Sequence, residues 1–325
     1  SAVPVNILGL DLTAAPEQQR EREAYDWAFR EARRPFDLKS GPLLRINVIR
    51  VRDDDHILLI TIHHIVSDGW SMTVFVQELS ELYTAYEQER PSVLPPLPIH
   101  YSDFARWQRG AFPHRELDRQ LHYWKTKLAG IPAVLELPSD RVRPSEQTFS
   151  GATWSAMLAA PLHEQLRSLA QREEVTLFMV LLASFSVLLH RYSRQDDICV
   201  GVPVAGRELL ETESLIGLFV NSLVIRTDLS ANPRFCDILA QTRDSLLGAY
   251  ANQDVPFERV VEELQPERSL AHHPLFQVMM TMFQAPRCHQ RFGALTAAPY
   301  VIGTSTSRFD LTASIVEASD GLIWC

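Results

Sequence analysis

Two histidines, an aspartate and a glycine lie within seven residues near the start of the chain, in the string His63-His64-Ile65-Val66-Ser67-Asp68-Gly69. An apolar run at residues 57–62 precedes them and predicts a buried strand. Open α/β proteins place their chemistry at strand ends of this kind. A neutral imidazole accepts and returns a proton near neutral pH, and a nearby carboxylate fixes its tautomer or holds the loop. The string therefore indicates acid–base chemistry at the end of this strand.

The two histidines are expected to differ in role. Neighbouring side chains on a strand point to opposite faces, so one of His63 and His64 should face a cavity and the other should face the packed interior. Gly69 has no Cβ, which leaves space for a sharp turn or for the approach of a substrate chain. The motif therefore combines one candidate base with several supporting residues.

Three interpretations of the histidine pair are open from the residues alone. The pair is structural, with both rings satisfied by hydrogen bonds, or it binds a metal ion, or it supplies a base for acyl transfer. A metal site is disfavoured because adjacent strand side chains diverge and no Cys or Glu cluster lies nearby. The spacing does not decide between the structural histidines and the base.

The surrounding sequence predicts the elements that place this motif. Residues 16–33 have an acidic start, a basic end and helical spacing of apolar residues, which predicts a surface helix. Two β-rich runs separated by Asp53-Asp54-Asp55 predict a hairpin whose second strand carries the histidines. Ser71 is the predicted N-cap of an amphipathic helix that extends to about residue 89. The motif therefore lies between a strand and a helix.

Composition restricts the class of protein. Of the 325 residues 46% are hydrophobic, enough for a sizeable core, and the formal net charge is −9. An acidic chain without a Lys/Arg cluster does not predict a nucleic-acid partner. The four cysteines are far apart, which predicts neither a disulfide framework nor a zinc site and favours a reducing, cytoplasmic location. No signal peptide and no apolar run of membrane-spanning length is present in the sequence.

The string H-H-x-x-x-D-G, followed here by Trp70-Ser71, resembles the core motif of condensation domains of nonribosomal peptide synthetases. Other strings resemble further motifs of that family, in the family's order. They are Pro35-Phe36-Asp37-Leu38 with Gly41-Pro42-Leu43-Leu44-Arg45, Tyr101-Ser102-Asp103-Phe104-Ala105-Arg106-Trp107-Gln108-Arg109, Ile216-Gly217-Leu218-Phe219-Val220-Asn221-Ser222-Leu223, His272-His273-Pro274-Leu275-Phe276-Gln277-Val278 and Arg308-Phe309-Asp310-Leu311. The resemblance covers essentially the whole chain.

The resemblance implies an α/β fold of the α+β sandwich type. Two chloramphenicol acetyltransferase-like lobes would form a V with a tunnel between them. We expect an N-terminal lobe at residues 1–137, a proline-rich linker at residues 130–144 and a C-terminal lobe at residues 145–325. The family has an earlier strand and helix and further helices after the last strand, so the chain is expected to be incomplete at both ends. In the family an upstream arginine holds the motif aspartate, so the partner of Asp68 is expected to lie outside the chain.

The activity implied by the resemblance is formation of a peptide bond between two carrier-bound thioesters. His64 would be the catalytic residue facing the tunnel, and His63, Asp68 and Gly69 would support the motif. The residues predicted to line the substrate channel are Trp70, Ser71, Asn221 and Arg308. An amide inside an apolar strand, such as that of Asn221, is also typical of a purely structural residue.

The domain itself is expected to bind no cofactor and no metal. Its substrates would arrive on the 4′-phosphopantetheine arms of upstream and downstream peptidyl carrier domains, next to an adenylation domain, in the synthesis of an antibiotic-type bacterial metabolite. The sequence contains neither a G-x-S-x-G string nor a Cys beside a base, which are the signals of an acyl-enzyme nucleophile. Transfer would therefore be direct. Two alternatives remain: a relative of the epimerization type, and a non-catalytic fragment that docks carriers.

Overall fold

The structure of the chain is a computed structural model that describes residues 5–110, 114–267, 269–284, 290–303, 305–318 and 321–325. In chain order its elements are β1 (Ile7–Asp11), α1 (Glu17–Arg33), β2 (Leu44–Arg50), β3 (His56–Ile62), α2 (Gly69–Glu87), α3 (Tyr101–Gly110), α4 (His114–Lys127), β4 (Ala156–Ala159), α5 (Ala160–Arg172), α6 (Leu177–Ser193), β5 (Asp197–Val204), β6 (Asn221–Asp228), α7 (Phe235–Tyr250), α8 (Phe257–Leu264), β7 (Val278–Gln284), β8 (Gln290–Phe292), β9 (Leu295–Ala297), β10 (Leu311–Ala318) and β11 (Gly321–Trp324). Short 3₁₀ helices cover His64–Val66 and Leu210–Thr212.

The chain divides into two compact units, each built from segments that are separate in sequence. Among the described residues, unit 1 contains 5–105, 207–219 and 290–303, and unit 2 contains 106–206, 220–284 and 305–325. The predicted lobe boundary at residues 137–145 does not coincide with this division. Trp124 and Leu128, in and just after α4, are buried in the core of unit 2, which assigns this part of the chain to unit 2.

Unit 1 contains a three-stranded sheet in the order β1-β2-β3. β2 and β3 pair antiparallel from Leu44 opposite Ile62 to Arg50 opposite His56, which confirms the predicted hairpin. On one face of the sheet the buried side chains of Ile49 and Ile57 belong to the same apolar cluster as Ala24 and Ala28 of α1. The small alanines let the helix approach the strands closely. The helix therefore supports the hairpin near the first residues of β3, at the end away from the histidine motif.

Unit 2 contains a six-stranded mixed sheet in the order β4-β11-β10-β7-β5-β6. Its largest buried helix is α6, which begins after Thr176 because the Thr176 hydroxyl accepts a 3.2 Å hydrogen bond from the Met179 N–H. The sequence predicts a buried strand at residues 197–204 from an apolar, β-rich run, a helix at residues 235–250, and Thr176 as the cap of a strongly apolar helix. The limits of β5 and α7 and the start of α6 agree with these predictions. Among the described residues no single helix is long and apolar enough to cross a membrane, and α5 and α6 reach that length only together, with a 104° bend between them.

The segment predicted to be a linker is fixed to unit 2 by two glutamine side chains. The Gln277 Oε1 accepts from the Leu135 N–H at 2.7 Å, and its Nε2 donates to the Ala133 carbonyl at 3.3 Å. The Gln195 side chain bonds the next residues in the same way, accepting from the Glu136 N–H at 2.7 Å and donating to the Val134 carbonyl at 3.0 Å. The prolines interrupt regular secondary structure here. The backbone of the segment is nevertheless held by hydrogen bonds, unlike that of a flexible linker.

Gln277→Leu is expected to lower the free energy of unfolding by about 1–3 kcal/mol, because the substitution leaves the N–H of the buried Leu135 without its hydrogen-bond partner. Gln277 is only 3% exposed, so water cannot replace its amide without rearrangement. The measurement is the urea midpoint and its m-value. Gln171→Leu, on the exposed side of α5, is the matched control and should change stability by about 0.5 kcal/mol or less. Equal midpoints for the two variants would contradict this role of Gln277.

Candidate active site

The histidine motif begins one residue after β3 ends. The His63 N–H donates to the Leu43 carbonyl at 2.9 Å, and His63 then caps the 3₁₀ helix His64–Val66. Its own ring accepts a 3.0 Å hydrogen bond at Nδ1 from the Ile65 N–H. The prediction that the two histidines occupy opposite faces of a strand is therefore wrong. They lie in a turn, because the His63 side chain satisfies the backbone that would otherwise continue the strand.

The turn gives the two imidazoles different environments. The ring of His63 is half-buried and packs edge-on against Phe36, with 5.5 Å between ring centroids. Since Nδ1 accepts a hydrogen bond, the proton of the neutral ring lies on Nε2. The side chain of His64 is exposed, and its ring forms no hydrogen bond with any residue that the structure describes. His63 is thus a structural residue, and His64 is available to a reactant.

Asp68, and not the predicted Ser71, is the N-cap of α2. Its Oδ1 accepts from the Ser71 N–H at 2.8 Å and from the Ser71 hydroxyl at 2.7 Å. Its Oδ2 accepts from the Phe219 N–H at 3.0 Å. The residue is 5% exposed. A carboxylate at this position satisfies the free N–H groups at the start of the helix and is stabilised by the helix dipole.

The charge partner of Asp68 is Arg207, so the expectation of a partner outside the chain is corrected. The Arg207 Nη2 lies 3.2 Å from the Asp68 Oδ1 and 2.9 Å from the Ser71 hydroxyl. The Arg207 side chain is only 1% exposed, and its guanidinium carbon lies 4.0 Å from the centre of the Phe219 ring. The local sequence gives no signal for this pairing, because the two residues are 139 positions apart.

Burial and hydrogen bonding act in opposite directions on this ion pair. Burial raises the pKa of Asp68. The hydrogen bonds from the Ser71 N–H, the Phe219 N–H and the Ser71 hydroxyl, together with the charge of Arg207, lower the pKa by a larger amount, so it lies below its ordinary value. Burial lowers the pKa of Arg207 more than Asp68 raises it. The Asp68 carboxylate is therefore ionised at neutral pH and occupied by donors, which suits a structural role and not that of a base.

The three residues after Asp68 have different exposures. An added Cβ on Gly69 would meet no atom of the described chain within 4 Å, so the space above this residue is open. Trp70 is 45% exposed and donates its indole N–H to the Glu213 carbonyl at 2.8 Å. Ser71 is fully buried, which differs from the predicted channel position, and its hydroxyl bonds both the carbonyl and the N–H of Gly217.

The two remaining channel predictions concern residues of unit 2. The Asn221 Nδ2 donates to the carbonyls of Gln253 and Val255 at 2.8 and 2.7 Å, and its Oδ1 accepts from the N–H of Phe257 at 3.0 Å. This amide is satisfied within its own unit, which favours the structural role. Arg308 is exposed, and its carbonyl accepts from the Gln147 side chain at 2.7 Å. Neither residue belongs to the unit that carries the histidine motif.

No metal centre is apparent in the part of the chain that the structure describes, since no group of three or more His, Cys, Asp or Glu side chains is arranged to bind an ion there. Near the motif, Asp68 is bonded to protein donors and the two histidines have different surroundings. The arrangement therefore consists of one accessible imidazole next to a rigid, ion-paired helix start. Such an arrangement can orient a reactant and exchange a proton with it.

Comparison with known proteins places the chain in a class. The Condensation domain family matches residues 1–324, and the chain belongs to this family. The chain is 46% identical over 316 residues to a linear gramicidin synthase from Brevibacillus parabrevis, covering 97% of this chain and 6% of the relative. It is 45% identical over 272 residues to phosphinothricin tripeptide synthetase PhsC of Streptomyces viridochromogenes, covering 84% of this chain and 25% of the relative.

Solved structures confirm the predicted mixed α/β fold. A complex of the X-domain and OxyB from teicoplanin biosynthesis contains a chain with a TM-score of 0.86 and 26% identity, covering 100% of this chain and 71% of that one. The match to the family model and the similarity to the synthetases confirm the family predicted from the ordered motifs. The chain spans only a small part of the length of the synthetases that it matches, 6% and 25% for the two named above.

Proposed function

We propose that this chain joins a carrier-bound aminoacyl or peptidyl thioester to a carrier-bound aminoacyl acceptor by forming a peptide bond, with His64 as the catalytic residue. The observation that carries the proposal is the accessible His64 ring beside the rigid Asp68 and Arg207 ion pair. Family membership and the similarity to synthetases of peptides support the reaction type. The substrates would be attached to the phosphopantetheine arms of carrier domains, with an adenylation domain adjacent in the same synthetase.

The proposed step is direct transfer. The acceptor amine attacks the thioester carbonyl, an N–C bond forms, the C–S bond breaks, and the donor thiol leaves. One N–H proton passes to His64 and from there to the departing sulfur. An α-amine has a pKa of about 8, so part of it is already neutral near pH 7, and it needs a weaker base than an alcohol nucleophile would.

The binding site should contribute more to the rate than the base. Holding two tethered reactants in line supplies roughly 7–11 kcal/mol, whereas proton transfer by one side chain gives about a 10²–10⁴-fold acceleration, equivalent to roughly 3–5 kcal/mol. The fixed start of α2 serves this purpose, because the hydrogen bonds of Asp68 and Ser71 leave the turn that carries His64 little freedom to move. His64 therefore acts on substrates that are already aligned.

A condensation assay with two aminoacylated carrier proteins tests the proposal. The expected result is transfer of the donor acyl group, seen as an acceptor thioester whose mass has increased by one residue. An inverted α-carbon on a single carrier without a new amide would instead support an enzyme of the epimerization type. If neither thioester is consumed faster than in a sample without the protein, the catalytic proposal is overturned.

A second candidate is a non-catalytic docking module. It is favoured by the similarity to the X-domain chain, which was solved in a complex with OxyB. The intact histidine motif and the exposed His64 ring favour catalysis over this alternative. Carriers that bind the chain without any amide product in the same assay would support docking.

A further inference from the structure

The end of α1 is closed by Arg45, a buried residue of β2. Its Nη2 donates to the carbonyls of Glu31 and Arg34 at 3.1 and 2.9 Å, and its Nε forms a salt bridge with the Glu31 carboxylate. The side chains of Arg45 and Glu31 are 9% and 7% exposed. Carbonyls at the end of a helix have no partner within the helix. An arginine that binds them therefore stabilises the helix end and has its own guanidinium fixed in place.

This guanidinium supports the ring of Phe36, which follows α1 closely in sequence. The guanidinium carbon of Arg45 lies 3.9 Å from the centre of the Phe36 ring, a distance typical of a cation–π contact. The same ring packs edge-on against the imidazole of His63, with 5.5 Å between the ring centroids and 86° between the ring planes. Phe36 therefore connects the end of α1 to the first histidine of the motif.

The imidazole of His63 holds the backbone that carries His64. Its Nδ1 accepts from the Ile65 N–H at 3.0 Å, while the His63 N–H donates to the Leu43 carbonyl at 2.9 Å. The bond to Nδ1 exists only while this nitrogen points at the Ile65 N–H, so rotation of the ring breaks it. The edge-on contact with Phe36 is favourable in one orientation of the imidazole and therefore restricts that rotation.

We propose that Phe36 is a positioning residue of the condensation reaction, because its ring keeps the His63 imidazole in the orientation that closes the turn and thereby fixes the position of His64. The inference rests on the proposed function and adds a residue to it. Phe36 acts through His63 and takes no part in the chemistry. The rate should be sensitive to this support, since a misplacement of about 1 Å in an aligned site can cost about 10²-fold.

Phe36→Leu tests the proposal, because it removes the ring and keeps an apolar side chain. Phe29→Leu is the matched control. Phe29 is also half-buried in unit 1 and also lies near a guanidinium, since the guanidinium carbon of Arg33 is 5.3 Å from its ring centre. Its ring stacks with that of Tyr25 within α1. The control therefore removes a comparable ring from the same unit.

Three quantities are measured on the full chain. They are hydrogen exchange of the Ile65 amide, kcat and KM for condensation with both carriers loaded, and the effect of Phe36→Leu on kcat in a chain that already carries His64→Ala. Circular dichroism checks that each variant is folded. If Phe36→Leu does not fold, Phe36→Met, which fills more of the space without a ring, takes its place.

Phe36→Leu should accelerate exchange of the Ile65 amide by about twofold to tenfold, the factor given by loss of one aromatic contact. It should lower kcat by about threefold to 10²-fold and change KM by less than about twofold. Phe29→Leu should change none of these quantities. In the His64→Ala chain Phe36→Leu should lower kcat no further, because the turn then carries no imidazole to misplace.

Unchanged exchange of the Ile65 amide would overturn the contact between Phe36 and the turn. Faster exchange with an unchanged kcat, or an equal loss of kcat with and without His64, would overturn the role of Phe36 in the reaction. If the unaltered chain forms no amide, the proposed function fails and the role of Phe36 in the reaction fails with it. Hydrogen exchange would still decide whether Phe36 holds the turn.

Discussion

Arg207→Ala is expected to lower the free energy of unfolding by about 3–5 kcal/mol, because it leaves the Asp68 carboxylate buried without its cation. The side chains of Arg207 and Asp68 are 1% and 3% exposed, so water cannot replace the guanidinium. The substitution also removes the hydrogen bonds that the Arg207 guanidinium donates to the carbonyls of Thr212 and Leu215. The measurement is urea unfolding followed by circular dichroism.

The matched control is Arg143→Ala. Arg143 pairs with Asp310 in unit 2, and these side chains are 34% and 22% exposed. A more exposed pair should contribute about 1 kcal/mol or less. Asp68→Ala should also destabilise the protein strongly, and the double variant should lose less than the sum of the single losses because the two side chains interact. Additive losses, or equal losses at the two arginines, would contradict a buried ion pair at the motif.

The acid dependence of stability provides a separate readout of the same ion pair. Folding lowers the pKa of Asp68. The contribution of its carboxylate to the free energy of unfolding is therefore fully present above the unfolded pKa of about 4 and is lost as the pH falls below that value. The difference in unfolding free energy between the unaltered chain and Asp68→Asn should therefore be constant from pH 5 to pH 7 and shrink below about pH 4. A difference that changes chiefly near pH 6 to 7 would assign the effect to another group.

His64→Ala is expected to reduce the rate of amide formation by about 10²–10⁴-fold with no change in melting temperature. The ring is exposed and forms no hydrogen bond with the described residues, so folding does not depend on it. Some activity should remain with a reactive donor, because alignment of the two substrates is retained. The measurement is a single-turnover rate with both carriers loaded, beside a thermal melt.

His63→Ala should affect stability, in contrast to His64→Ala, so the two variants are compared. Its ring packs against Phe36 and accepts the hydrogen bond from the Ile65 N–H, so its loss should lower the melting temperature. His122→Ala, an exposed histidine of α4, should affect neither rate nor melting. If His64→Ala retained more than a third of the rate, or if it melted as early as His63→Ala, the catalytic role assigned to His64 would have to be abandoned.

Local sequence patterns predicted most of the elements. The apolar run of β5, the Thr176 cap of α6 and the histidine hairpin are all determined by residues close together in the chain, and the structure agrees. The ordered motifs also identified the family. Patterns of this kind report on local hydrogen bonding and on periodic burial, so they are reliable where an element depends on its own sequence.

The site could be predicted only in part, for a physical reason. The turn at His64 depends on which backbone N–H the His63 ring accepts from. Asp68 also accepts hydrogen bonds from Arg207 and from the Phe219 N–H, which are 139 and 151 positions away in sequence. The proline-rich segment near Leu135 is fixed by the side chain of Gln277, which is 142 positions away in sequence. Interactions between distant residues leave no periodic pattern in either segment.

The separation of Asp68 from Arg207 has a consequence for synthesis of the protein. A ribosome must add a further 139 residues after the aspartate before the arginine exists, which takes roughly 7 to 28 s at about 5–20 residues per second. During that time the carboxylate has no cation and must remain hydrated. The turn at His63 can form from neighbouring residues alone, but Asp68 reaches its final surroundings only when a much later portion of the polypeptide returns to it.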